Sequence, residues 1–154
     1  MITRTGSHAL RALAALGRFP TGRYVGAGEI ARLVKAPSNY LGKLFRQLSR
    51  AGVVESRKGT NGGFRLLRAP QAISLFDILD PIEHVSRVNG CVLGRPRCTG
   101  ACPVHRGWAH ARDAYLEFLR TTTLADLSRD RPSVFRQKGG QKERAADTAP
   151  GGVQ

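Results

Sequence analysis

The chain has 154 residues, enough for one core, with 25 Lys and Arg against 11 Asp and Glu and a formal charge of +14. A hydrophobic fraction of 41% is too high for a wholly disordered chain, and no apolar run reaches the ~18–20 residues of a membrane span. The three cysteines all fall between Cys91 and Cys102, which argues against a secreted disulfide scaffold and for a reducing, cytoplasmic compartment. Most of the excess charge lies early, where residues 1–90 carry 14 basic and 5 acidic side chains. Such a segment implies a polyanionic partner, nucleic acid before an anionic membrane surface. A solvated basic face with no partner is the plainer alternative.

No acidic residue precedes Glu29, as in a transit peptide, but Arg11 interrupts the apolar run. Ala9, Leu10, Leu13 and Leu16 fall at helical spacing, which predicts a first helix from Thr5 to Leu16, ended by Gly17 and Pro20. After a glycine-rich connection, Gly22 to Gly28, a short amphipathic helix runs from Glu29 to Val34 and stops at Ala36–Pro37. Ser38 is the expected N-cap of a helix over Asn39 to Ala51, with Gly52 as its stop. Leu41, Leu44, Phe45 and Leu48 share one face of it, and Asn39, Lys43, Arg46, Gln47 and Arg50 share the other. A short helix, a tight turn and a second helix with a basic outer face read as a helix-turn-helix, whose second helix can enter a major groove. A plain helical hairpin gives the same pattern.

Val53 to Arg57 and Phe64 to Leu67 read as two short strands joined by Lys58-Gly59-Thr60-Asn61-Gly62-Gly63. This is a wing, with Arg57, Lys58 and Arg65 placed at its tip and glycines that let a backbone approach a phosphate. The stretch lacks the order of a nucleotide-binding P-loop and the helix that follows one. Ser74 is a cap for Leu75, Ile78, Leu79 and Ile82, and Pro81 is expected to kink or split that helix.

An aperiodic loop follows, with the spacing Cys91-x6-Cys98-x3-Cys102-x2-His105. Four soft or borderline donors in so short a stretch can wrap one metal centre, and thiolates suit zinc or an iron–sulfur cluster. The Cys-x2-Cys knuckles of common zinc sites are absent, which favours iron–sulfur. A loop of free thiols is the bland reading. A long helix from His105 to Thr121 carries Trp108, Ala111, Ala114 or Tyr115, Phe118 and Leu119 as an apolar stripe. That stripe needs a partner: a second copy of the chain, or the first helix of the same one. Thr123 to Leu127 reads as a short terminal helix, and 132–154 as a disordered tail.

With these residues in hand, the chain resembles the IscR/NsrR/RirA family of bacterial winged-helix transcriptional regulators. The likeness runs from about residue 2 to 128. It rests on Ala9-Leu10-Arg11-Ala12-Leu13, Glu29-Ile30-Ala31, Ser38-Asn39-Tyr40-Leu41-Gly42-Lys43-Leu44 and Leu48 to Val54. The wing, Lys58 to Leu66, is its most specific piece, and Ile73-Ser74-Leu75, the cysteine loop, Trp108 and Thr123 to Leu127 complete it. The resemblance implies a homodimer whose second helix reads the major groove and whose wing reads the adjacent minor groove. It implies an iron–sulfur cluster, 2Fe–2S or 4Fe–4S, ligated by Cys91, Cys98 and Cys102, with His105 where IscR-like members place a histidine ligand. The gap before Cys102 is short for the family. Nitric-oxide-sensing members take a carboxylate from the partner's first helix, and the matching position here is Ser7, with His8 beside it. The fourth ligand is thus His105, a partner His8 or an exogenous group.

The expected architecture is mainly α: a winged helix-turn-helix with a small two-stranded wing and a long C-terminal dimerisation helix. Residues 1–84 form the DNA-binding domain, 85–104 the cluster loop, 105–131 the dimerisation and terminal helices, and 132–154 the tail. Ser38, Asn39, Tyr40, Lys43 and Gln47 are candidates for base edges or nearby phosphates. Arg46, Arg57, Lys58 and Arg65 are candidate backbone clamps, and Asn61, Gly62 and Gly63 shape the wing tip. The expected function is a cytoplasmic, sequence-specific regulator of double-stranded DNA, a repressor, controlled by a cluster that senses redox state, nitric oxide or iron. A zinc or thiol switch is the rival. Enzyme chemistry is not expected, because beyond Cys102 and His105 no base–orienter pair is visible.

Overall fold

Alanine and leucine at helical spacing make the first helix a core element rather than a surface one. In the computed structural model, which describes residues 2–20, 22–89, 91 and 102–129, α1 spans Arg4–Leu16. It buries Ala9, Leu10, Ala12, Leu13, Ala15 and Leu16. Its N-terminus is closed twice. The Thr3 hydroxyl accepts from Gly6 N at 3.2 Å, and Glu83, far along the chain, accepts from Thr3 N at 2.9 Å and Gly6 N at 3.0 Å. The Thr3 hydroxyl also donates to that carboxylate. A Cβ on Gly6 would collide with Glu83 as it stands, so glycine admits this long-range cap.

Helix α2 (Ala27–Val34) and helix α3 (Ser38–Arg50) pack on α1 and on each other. Leu41, Leu44, Phe45 and Leu48 are buried, as their spacing predicts. The cap differs from expectation. Pro37, with φ −62° and ψ 134°, is the N-cap, and Ser38 is the first helical residue with no capping hydrogen bond. Proline's fixed φ suits the extended entry to a helix, so the boundary moves one residue back. Gly52 stops the helix at φ 71°, as expected.

Strands β1 (Val54–Arg57) and β2 (Gly63–Leu66) pair antiparallel, Val54 opposite Leu66 and Arg57 opposite Gly63. Val25 adds a bridge on the far side of β2, exchanging hydrogen bonds of 3.0 and 2.9 Å with Phe64. Phe64 stacks on Phe45 with ring centroids 4.8 Å apart, so the wing base and α3 share one aromatic contact.

Helix α4 (Leu75–Glu83) starts with a full capping box, Ser74 and Asp77 each bonding the other's backbone. Pro81 does not split it. The helix runs two residues further and ends at His84, φ 53°. Burial of Leu75, Ile78 and Leu79 holds this helix, and a proline so near its end forfeits only one late hydrogen bond. A 3₁₀ turn (Val85–Asn89) leads to Cys91.

Helix α5 (Pro103–Thr121) begins at the N-cap Cys102 and packs on α4 and on the Val85–Asn89 turn. Leu116 and Leu119 are buried, while Val104 and Phe118 are about half exposed at 50% and 49%. The single stripe read from sequence is therefore two faces, one turned inward and one open. Helix α6 (Leu124–Arg129) returns to α1, burying Leu124 and donating Leu124 N to the Ile73 carbonyl at 2.8 Å. Among the described residues no helix is long and apolar enough to cross a membrane. The tail read over 132–154 lies outside the described residues.

Candidate nucleic-acid interface

The amphipathic pattern of α3 fixes what it presents. With its leucines and Phe45 inward, Ser38, Asn39, Lys43, Arg46 and Gln47 are exposed and Tyr40 is half-buried. Asn39 Oδ1 accepts from the Tyr40 backbone N–H at 2.8 Å. No side chain caps the helix from the N-cap position, but Asn39 takes the Tyr40 N–H and the Pro37 carbonyl takes that of Leu41 at 3.1 Å, so only the N–H groups of Ser38 and Asn39 are left for an outside acceptor by these bonds. Tyr40 also meets His8 of α1 edge-on, ring centroids 5.6 Å apart. Burial, then the positive charges of Arg11 and Arg4, hold the His8 imidazole below its usual value.

The wing tip is built by glycine. Gly59 has φ 101° and accepts from Gly62 N at 2.9 Å. A Cβ on Gly62 would strike the Arg57 carbonyl, and one on Gly63, φ 148°, the Val25 carbonyl. Arg57, Lys58 and Asn61 are exposed. Arg65 is not at the tip. It sits opposite Glu55 in the ladder, with Nε 2.6 Å from the carboxylate, and its guanidinium lies 4.9 Å over the Tyr24 ring. Arg57 lies over the same ring at 5.6 Å. Hydrogen bonds from Arg65 and then Tyr24 hold the Glu55 carboxyl below its ordinary value, and Glu55 in turn raises Arg65.

Tyr24 and Glu55 were missed in the sequence reading. One is a platform for two wing arginines, and the other partly neutralises one of them. Their signal was available, since an aromatic residue beside the Val25 bridge and an acid two residues before Arg57 both fall within reach of the wing.

Of the cysteine segment, Cys91 and Cys102 are described. Cys91 follows the turn after α4, Cys102 caps α5, and both are half-buried. His105 is the third residue of α5, and its N–H donates to the Cys102 carbonyl at 3.0 Å. Cys98 lies outside the described residues. Among the described residues no three His, Cys, Asp or Glu side chains are grouped closely enough to hold a metal ion. The donor chemistry still suits a thiolate-bound centre. Two thiols stand at the ends of one loop, and a histidine stands one helical turn from the second.

A family model described as "Iron-dependent Transcriptional regulator", Rrf2, matches residues 2–130. The chain belongs to the Rrf2 family. It is a DNA-binding transcriptional regulator and not an enzyme. A protein of Aquifex aeolicus (strain VF5), named as an HTH-type transcriptional regulator, is 35% identical over 127 residues, covering 80% of this chain and 88% of that one. The solved structure of CymR (YrzC), the global cysteine regulator of B. subtilis, is 29% identical with a TM-score of 0.68, covering 84% of this chain and 96% of that one. T. potens IscR has a TM-score of 0.69 at 24% identity, covering 90% and 93%, a likeness of fold. As an Rrf2 protein the chain has the winged helix-turn-helix that its elements show: mainly helical, with a two-stranded antiparallel wing.

Proposed function

We propose that this Rrf2 protein is a homodimeric, cytoplasmic repressor whose affinity for a specific double-stranded DNA site is set by an iron–sulfur cluster. The observation that carries the reading is the placement of the cysteines. Cys91 follows the Val85–Asn89 turn that packs on α5, Cys102 is the N-cap of α5, and α4 is tied to α1 through Glu83. A change in the loop therefore acts on the frame that carries α3.

Cys91, Cys98 and Cys102 would hold the cluster, with His105 or a partner's His8 as the fourth donor. A bound cluster would supply a centre whose charge and integrity respond to oxidants, nitric oxide or iron supply. The chain's own residues do the rest. Ser38, Asn39, Tyr40, Lys43 and Gln47 face base edges and adjacent phosphates, and Arg46, Arg57 and Lys58 clamp the backbone. Arg65, held by Glu55, is kept back from the backbone. The wing-tip glycines bring main chain close to the minor groove.

The open face of α5 supports a dimer. Val104, Gly107, Ala111, Ala114 and Phe118 are all exposed, and they alternate at three and four residues. This is the spacing of a two-helix seam. A Cβ on Gly107 would meet open space, so a second helix can approach closely there. A second copy fits such a self-complementary stripe, and two reading heads suit a palindromic site.

A second reading is favoured by the likeness to CymR, described as a cysteine regulator: a zinc or thiol switch in the same loop. Anaerobic reconstitution with iron and sulfide separates the two. The cluster reading expects a brown protein with visible absorbance that is lost in Cys98→Ala. A protein that stays colourless sinks the cluster and leaves zinc or thiol chemistry.

A further inference from the structure

A cavity of about 390 Å³ lies at the base of the wing, between the α1–α2 connection and the chain that follows β2. That volume is at the low end of the range of roughly 300–1,000 Å³ for small-molecule sites. Its wall combines three arginines, Arg23, Arg65 and Arg68, with the apolar side chains of Leu16, Leu66 and Leu67. Among the described residues no carboxylate lines it.

The arginines are held in place. Arg23 lies 5.1 Å over the Phe19 ring and pairs with Glu29 at 3.2 Å. Arg68 donates to the Ala72 carbonyl at 3.0 Å and to Asp77 at 3.1 Å. Arg65 is fixed by Glu55 and Tyr24, as described above. Each arginine is paired with one carboxylate, Glu29, Glu55 or Asp77, that stands outside the cavity wall, so the wall presents guanidinium N–H donors rather than net charge. Arg23 and Arg65 keep further N–H groups beyond those bonds, and guanidiniums already immobilised lose little freedom when a ligand arrives. Leu67, half exposed at 50%, leaves an apolar lip in water.

A bare inorganic ion would leave that apolar wall wet, and a neutral hydrocarbon would strip water from the guanidiniums without replacing it. We propose that this cavity binds a small organic anion with an apolar body, a carboxylate, sulfonate or phosphate ester. Because Arg65 belongs to β2 and Arg23 to the segment leading into α2, the ligand braces the wing base against the helix-turn-helix. The site goes beyond the DNA and cluster readings and does not depend on either.

The test uses the full chain and the fluorescent probe anilinonaphthalene sulfonate, an aryl sulfonate of this class. Saturable binding is expected, weakened about tenfold or more in Arg23→Gln and in Leu67→Asp. Leu33→Asp serves as the control, because Leu33 is an equally exposed leucine on α2 outside the cavity (44% exposed). Octanoate should displace the probe and acetate at equal concentration should not. Absence of saturable binding overturns the proposal. So does binding that survives both cavity variants, that is lost equally in the Leu33 variant, or that acetate displaces as well as octanoate does.

Discussion

On the proposed DNA interface, Glu55 sets how much of the wing's positive charge is available to a phosphate. Its carboxylate takes the Arg65 Nε at 2.6 Å, within a wing whose remaining cations, Arg57 and Lys58, are exposed. Removing the acid while keeping its shape, Glu55→Gln, frees Arg65 for a phosphate. DNA affinity should rise, and the slope of log affinity against log salt should steepen by about one unit, near the ~0.9 expected per phosphate neutralised. An unchanged slope would mean that Arg65 never reaches the backbone. The same residue has a pH signature. Its folded pKa is depressed, so its contribution to stability is present above the ordinary carboxylate value and is lost as pH falls through the folded value. Asp126, held low first by the Thr123 hydroxyl and then by its N–H, behaves alike. Denaturant unfolding across acidic pH should show stability falling there, less steeply in Glu55→Gln. Both groups are solvent-exposed, so the effect is small.

At the scale of elements, α3 and the wing divide the work of recognition. Lys58, exposed in the wing turn, is the proposed phosphate contact; Lys58→Ala should weaken binding alike on all DNA sequences and reduce the salt slope by about one. Gln47, exposed on the outer face of α3, is the proposed base-edge contact; Gln47→Ala should cost about 1–3 kcal/mol on the preferred site and relax selectivity at one position. Titrating both variants against a selected site and a scrambled one separates the roles. These elements were legible because one physical rule governed each. The 3.6-residue period of Leu41, Leu44, Phe45 and Leu48 fixed the buried face of α3, and the glycine run fixed the wing turn. Legibility failed where two causes overlapped. Ser38 has the chemistry of a cap, but Pro37 has the backbone geometry, and geometry decided. Apolar residues on α5 serve both its own core and an open face, and a single-chain periodicity merges the two. The Glu83 cap on α1 was invisible because its partners are about eighty residues apart.

For the whole molecule, the account needs two copies and a responsive loop. Phe118 is half exposed on the α5 seam, so Phe118→Glu should convert a dimer to a monomer in sedimentation or light scattering while leaving the fold intact. The monomer, left with one reading head, should lose most of its affinity for a palindromic site. A variant that stays dimeric would move the interface off α5. The family match and the wing made regulation of DNA readable from the chain, whereas the signal depends on what the loop holds. The most direct test is an anaerobic DNA titration of the reconstituted protein, repeated on the same sample after the cluster has been removed with a chelator. The account predicts that affinity changes between the two states by about 5–150-fold, the range of a useful allosteric coupling of ~1–3 kcal/mol. Equal affinity in both states, with the cluster shown present in the first and absent in the second, would contradict it.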